Sequence, residues 1–597
     1  MARDTIVDRF FANAARMPSH PALYQKEHGH WHPISWKEYA DDVRRFGCAL
    51  IANGVPHGAA VTVLANNRPE WLIADVGAMA VGCVPAGIYQ TCTPEQVAYI
   101  VEHAEAPVCV VENRVQWEKV HSRLDSLPQL RKVVLLDEGD EVDHPKAVSW
   151  EAFLAEGAGA EEDHAVRMSA IREAELATLI YTSGTTGPPK GAMLSHKNLA
   201  WTARSAIDMM TRGGEAVSPD DCSLSYLPLS HIAEQMFSIH LPITGGYPIW
   251  FAEGLDKLKD NLPEARPTIF LAVPRVWEKF AAALQGKLAL ATGFKAKLVD
   301  FARSTARQVG ELRKRGEEPT GLLALRYAVA DRLVLSKVKA AIGLDRGRLL
   351  VTGAAPISRD VLDFFLSLDL LIYEVYGQSE GSGPTSFNQP GAVKFGTVGQ
   401  ALPGVDVLIA PDGEILVRGD NVFMGYFKAP EATAEALSDG WLHSGDVGEL
   451  TETGHLRITD RKKDLIITAG GKNVAPQNIE ARLKDLDLVS QAVVIGDSRP
   501  YLVALLTLDP EAAAVFASAN GLPSDLAALA AHPKVRAHLE RGIERVNEGL
   551  ARYETVKRFE ILSSDFSVDG GELTPTLKVK RKVVNEKHGD AIARLYA

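Results

Sequence analysis

Short apolar runs alternate with longer stretches of helical spacing through the first half of the chain. AAVTVLA (59–65), APVCVVE (106–112) and KVVLLD (132–137) read as buried strands, and PEWLIADVGAMAVG (69–82) and TPEQVAYIVEHA (93–104) as helices between them. Strands alternating with helices predict an α/β fold of parallel sheets covered on both faces. From about Leu284 to Ile342 the spacing turns helical throughout, rich in Ala, Leu, Lys and Arg, and predicts an inserted helical pair joined near Gly316–Gly321. We read that insertion as structural elaboration rather than as a regulatory or membrane element. Beyond Gly391, short strands with turns at PDGE (411–414) and TETG (451–454) predict a small β-rich subdomain over 391–459. A βαβ-like unit of domain size then runs to the end, so the expected division is a large domain over 1–459 and a smaller α+β domain over 460–597.

The bulk composition narrows the class. At 597 residues the chain is long enough for more than one core, and 46% hydrophobic with 23% charged residues is the balance of a globular protein. A formal charge of −12 argues against a nucleic-acid coat and leaves any phosphate site to be argued locally. Five cysteines without C-x-x-C spacing suit a reducing, cytoplasmic setting without structural zinc. MARDTIVDRFF lacks the apolar stretch of a signal peptide and reads as the start of an amphipathic helix. The charge-poor runs 76–94 and 236–252 are broken by Gly, Pro and polar residues, which favours buried core over membrane spans. Peripheral membrane contact stays open, as does the oligomeric state.

The densest chemistry lies in YTSGTTGPPKG (181–191). Its glycines let backbone N–H groups close on a ligand, its hydroxyls add donors and Lys190 adds a cation, a combination suited to polyphosphate. The register is neither that of a Walker A loop nor that of a dinucleotide fingerprint. By composition alone such a stretch is as readily a plain loop.

YTSGTTGPPKG closely resembles the signature of the adenylate-forming superfamily, which joins acyl-CoA synthetases, peptide-synthetase adenylation domains and beetle luciferases. Six further stretches stand in that family's order: YLPLSHIAEQ (226–235), GAAPIS (353–358), YEVYGQSEG (373–381), HSGDVG (443–448), DRKKD (460–464) and LTPTLKVKR (573–581). The resemblance implies a phosphate grip at Thr182, Ser183, Gly184, Thr185, Thr186, Gly187 and Lys190, and an adenine-side turn at Gly353, Ala354 and Ala355. It implies a nucleotide face at Tyr376, Gly377, Gln378 and Ser379, and ribose recognition by Asp446 and Arg461. Thr185 and Glu380 are the implied Mg²⁺ ligands, His231 lies between nucleotide and acyl sites, Lys578 is the adenylating cation and Asp460 is the hinge of a rotating C-terminal domain. Leu577 stands where many relatives have glycine, as in the long-chain acyl-CoA synthetase branch. Read without the resemblance, each residue has a plainer role: Asp446 a helix cap, Arg461 a surface ion pair, Tyr376 a core tyrosine, His231 a structural histidine, Lys578 one charge in a basic run.

The segment 226–251 is apolar enough to wall an alkyl chain, with Glu234 as the carboxylate that would instead suit an amino acid's ammonium group. The expected activity is AMP-forming ligation of a long-chain fatty acid to CoA, with ATP and CoA as co-substrates. The rivals are an acyl-AMP ligase that loads a carrier protein and a lipid-binding scaffold without catalysis.

Overall fold

The computed structural model describes residues 3–137, 139, 142–182, 188–212, 214, 216–470, 472–567, 570–574 and 579–597. Helix Ile6–Arg16 opens the chain, capped by a reciprocal Thr5–Asp8 box, and buries Ile6, Val7 and Phe10. The runs expected to be strands form Ala60–Leu64, Val108–Val111 and Lys132–Leu135, adjacent and parallel in an eight-stranded sheet. At its other side lie Leu176–Thr182 and the antiparallel Lys190–Ser195, the two strands that flank the glycine-rich loop. A nine-stranded sheet carries the parallel strands Ile269–Ala272, Leu349–Thr352 and Ile372–Gln378, which turns back antiparallel into Gly383–Phe387.

Helix Pro69–Ala80 is buried along its whole length, which explains why its sequence is apolar on every side. The second charge-poor run is likewise core: Met236–His240 forms a π-helical turn, all of it buried. Among the described residues no helix is long and apolar enough to cross a membrane.

The predicted hairpins at 411–414 and 451–454 join strands of a five-stranded antiparallel sheet, with Gly413 and Gly454 supplying the positive φ of each turn. Two short strands within 391–459 belong elsewhere: Gln400–Ala401 edges the nine-stranded sheet and Gly425–Tyr426 pairs with Lys190–Ser195. The strand Leu456–Arg461 includes Asp460, so the expected boundary falls at a strand end. The C-terminal unit contains strands Val489–Ile495, Leu502–Leu508 and Val556–Ile561, the last two parallel and joined through helices Pro510–Asn520, Leu526–Ala530 and Pro533–Glu548.

The inserted helices are Gly293–Arg313 and Gly321–Ala330, the second continuing through a π-turn into Ser336–Ala341. Residues 284–289, expected to open the insertion, instead end the preceding helix Pro274–Ala289.

Candidate functional site

The site gathers where Ile372–Gln378 meets Gly383–Phe387. The strand reaches Gly377 at a register shift, and a Cβ there would lie 1.8 Å from the Gly383 carbonyl oxygen, far inside van der Waals contact. Only glycine lets the two backbones approach so closely. Gly383 and Ser382 take positive φ, 101° and 57°, and close the turn that holds Glu380. Ala354 is left-handed as well, at φ 68°, so the stretch Gly353–Ala354–Ala355 leaves its strand through a strained residue, and Ala354 and Ala355 are exposed.

Three of the candidate residues converge. Tyr376 Oη donates to Asp446 Oδ2 at 2.7 Å, and Arg461 Nε lies 3.1 Å from Asp446 Oδ1. Asp446 and Arg461 face each other across antiparallel strands of the five-stranded sheet, so backbone pairing holds the ion pair in register. Asp446 therefore sits in a strand and caps no helix. Burial opposes the Arg461 charge, and the carboxylates of Asp446, Asp464 and Glu380, together with Tyr376, more than offset it, so its pKa stands above the ordinary value. The same interactions place Glu380 within electrostatic reach of the ion pair.

Glu380 Oε1 accepts a 2.7 Å hydrogen bond from Tyr426 Oη, and the Tyr426 ring in turn lies 5.0 Å beneath Lys190 Nζ. Gly425–Tyr426 is the strand that pairs with Lys190–Ser195, so one short strand links the loop's lysine to the carboxylate. Among the remaining nucleotide-face residues, Ser379 is buried and Gln378 half-buried. Thr182 closes its strand and its hydroxyl donates to the Lys190 carbonyl at 3.4 Å. Ser183, Gly184, Thr185, Thr186, Gly187 and Lys578 lie outside the described residues. Leu573 and Val579 pair as a β-bridge on either side of 575–578.

Residues 10–427 match the AMP-binding enzyme family, and residues 463–597 match the AMP-binding enzyme C-terminal domain. The chain belongs to the AMP-binding enzyme family. This AMP-binding enzyme is 38% identical to the Xenopus laevis long-chain-fatty-acid–CoA ligase ACSBG2 over 99% of its own length and 84% of the relative's. It is also 38% identical to the Mycobacterium tuberculosis long-chain-fatty-acid–CoA ligase FadD15, over 99% of its length and 97% of that protein's. Its fold is that of the adenylation domain of a carboxylic acid reductase from Segniliparus rugosus in complex with AMP and a co-purified carboxylic acid. That likeness has a TM-score of 0.74 at 20% identity over 99% of this chain and 94% of the other. ATP-bound MatB from Rhodopseudomonas palustris is similar at TM-score 0.71 and 23% identity, over 98% and 99% of the two chains.

In this AMP-binding enzyme His231 caps the short helix Ile232–Gln235, its Nδ1 accepting the Ala233 N–H at 3.1 Å. Beyond it Ile232 and Met236 back onto Gly383, which sets the apolar segment against the nucleotide turn. Phe237 and Leu241 of that segment border a small apolar cavity with Val375, Pro384, Phe387 and Leu402. Glu234 is not aimed at a ligand: its Oε1 accepts Ser225 Oγ and Ser238 Oγ at 2.7 Å each and the Tyr226 N–H at 3.1 Å. Burial pushes its pKa up to about 7 against those donors.

Sequence reasoning missed the setting of Asp460, the candidate hinge. Asp460 is buried, takes the Arg461 N–H on Oδ1 at 2.6 Å and the Gln477 N–H on Oδ2 at 3.4 Å, and is pushed by burial to a pKa of about 7. Arg581, three residues past Lys578, grips Glu480 at 2.5 Å and the Val494 carbonyl at 3.1 Å, with Asp464 at 3.9 Å. In the sequence Arg581 is one more charge in KVKRK, and nothing there marks it as buried. Tyr426, in GYF, carries no signal either. The C-terminal unit touches the rest of the chain through Arg275–Asp509 at 2.6 Å, and the Lys580 charge opposes the upward push of burial on the Cys92 thiol.

Proposed function

We propose that the protein is an AMP-forming ligase that joins long-chain fatty acids to CoA. The observation that carries this reading is similarity over 99% of the chain to enzymes named for that reaction. A carboxylate is a poor acyl donor because oxide would have to leave. In the first step a carboxylate oxygen attacks the α-phosphorus of ATP, the α–β bridge bond breaks and pyrophosphate departs. In the second the CoA thiolate adds to the acyl carbon, the carbon–oxygen bond to phosphate breaks, and AMP leaves.

The described geometry suits those steps. Asp446 can accept both ribose hydroxyls while Tyr376 and Arg461 hold its carboxylate in one orientation, so the nucleotide meets a preorganised acceptor. The Tyr376 ring offers a flat face for adenine. Lys578 is the cation that meets the charge developing on the α-phosphate, and the 182–190 loop with Lys190 holds the outer phosphates. Glu380 fits a hard cation: it is a half-buried carboxylate held by Tyr426. With Thr185 it would hold Mg²⁺, which neutralises phosphate charge when bound. His231 borders the acyl side by capping the helix that backs onto the nucleotide turn. We divide the chain into a domain over 1–459 and a mobile domain over 460–597 that turns about Asp460. The reading is of a cytoplasmic enzyme with peripheral membrane contact.

Incubation with ATP, palmitate and CoA, followed by mass spectrometry, tests the reading. Palmitoyl-CoA, AMP and pyrophosphate are expected. Acyl-adenylate that persists beside unused CoA would identify a carrier loader, and no pyrophosphate with any acid would identify a non-catalytic scaffold. Lys578→Ala should abolish acyl-adenylate formation while thioester still forms from supplied acyl-AMP; equal loss in both half-reactions would remove the assigned role.

A further inference from the structure

The inserted helical pair is built the wrong way round for a face that meets only water. Its inner seam packs Ala302, Ala306 and Ala330 with Val334 and Leu335, and a further set of large apolar side chains is left outside that seam. Leu322, Leu325, Val329 and Leu333 recur at intervals of three and four residues, so they form one stripe along the second helix and its π-turn, between 43% and 73% exposed. Phe294, in the first turn of the first helix, is 80% exposed as well. Lys295, Lys297, Arg332 and Lys337 are exposed on the same helical insertion. Residues 284–342 hold 12 Lys and Arg against 5 Asp and Glu, a formal +7 within a chain of −12.

We propose that this face docks on an anionic lipid bilayer, with the leucine stripe entering the headgroup boundary and the basic residues meeting lipid phosphates. Exposed leucines ringed by cations are the composition of an interfacial helix. A second copy of the chain is the poorer partner, because an isologous contact would bring the exposed cations of two such faces together. The acidic remainder of the molecule is repelled from the same bilayer and so orients it. The proposal gives the fatty-acid reading a use for the surface, since such substrates dissolve in bilayers, but it does not depend on catalysis.

Sedimentation with vesicles of phosphatidylglycerol and phosphatidylcholine in equal parts, without substrate and at low salt, tests it. The full-length protein is expected to pellet with these and not with pure phosphatidylcholine vesicles, and to be released at high salt. The double variant L322D/L325D should lower the partition coefficient at least about tenfold, and K295E/K297E by about tenfold. All four positions are exposed, and unchanged thermal melting and activation of a dissolved fatty acid would show the variants to be folded. Wild type that ignores anionic vesicles would overturn the proposal, as would double variants that bind as wild type does. A wild-type dimer in sedimentation velocity that L322D/L325D turns into monomer would assign the face to a second copy instead. None of these outcomes bears on whether the chain forms acyl-CoA.

Discussion

Glu234 is a carboxylate that the fold has enclosed and supplied with donors, yet burial still outweighs them. Its folded pKa of about 7 stands above that of an unfolded glutamate, so the folded state holds the proton longer. The stabilisation is full below about pH 4.5 and is lost as the pH rises through 7, roughly 3 kcal/mol in all. Glu234→Gln cannot ionise, and the variant's melting temperature should fall less than that of wild type between pH 5 and 8; parallel profiles would show that Glu234 is already ionised in the fold. Tyr376 works by a different route. Its hydroxyl fixes Asp446, and a hydrogen bond to a charged group contributes about 1.5–3 kcal/mol. Tyr376→Phe keeps the ring and loses the bond, so KM for ATP should rise about tenfold with pyrophosphate release otherwise intact. A KM equal to wild type would mean that Arg461 alone orients the carboxylate.

At the scale of elements, the site depends on the hairpin between Ile372–Gln378 and Gly383–Phe387. Gly377→Ala would press a methyl group into the Gly383 carbonyl, and backbone on both sides leaves no flexible side chain to yield. The expected cost is about 3 kcal/mol, with adenylation lost even where the protein remains folded, because Glu380 sits on the displaced turn; calorimetry beside a pyrophosphate assay would read both. YEVYGQSEG stood out by its resemblance to the family's element, but the hairpin's two strands were not among the runs read from hydrophobic period. The short strand Gly425–Tyr426 was not visible, since two residues carry no periodicity and their partner, Lys190–Ser195, lies more than 200 positions away.

For the whole molecule, the decisive element is the passage from Leu456–Arg461 into the C-terminal unit. Asp460 stands at that exit, clamped by two backbone N–H groups, while Asp464 and Glu480 receive Arg581 from the end of the chain. Asp460 and the segment that follows Lys578 thus share one charge cluster, and the proposed rotation about Asp460 would carry that cluster as a unit or break it. Asp460→Pro fixes φ at the hinge. It should spare single-turnover acyl-adenylate formation and reduce overall acyl-CoA turnover by at least about tenfold; unchanged turnover would place the hinge elsewhere.

The alternation of strands and helices follows from the sequence alone, because hydrophobic period and local turn chemistry act between near neighbours and leave their pattern in the order of residues, whereas the family and the candidate residues were legible there only through the resemblance of its motifs. Whether a charge is buried, and by what it is met, is a property of residues far apart in the chain. Only the folded chain sets Tyr376 on Asp446, Tyr426 between Lys190 and Glu380, and Arg581 on Glu480, and only it turns Glu234 from a candidate ligand group into a satisfied core carboxylate. The helical insertion divides the same way. Its helices were legible as period, but which face would be left outside depended on the seam of alanines that the other face closes.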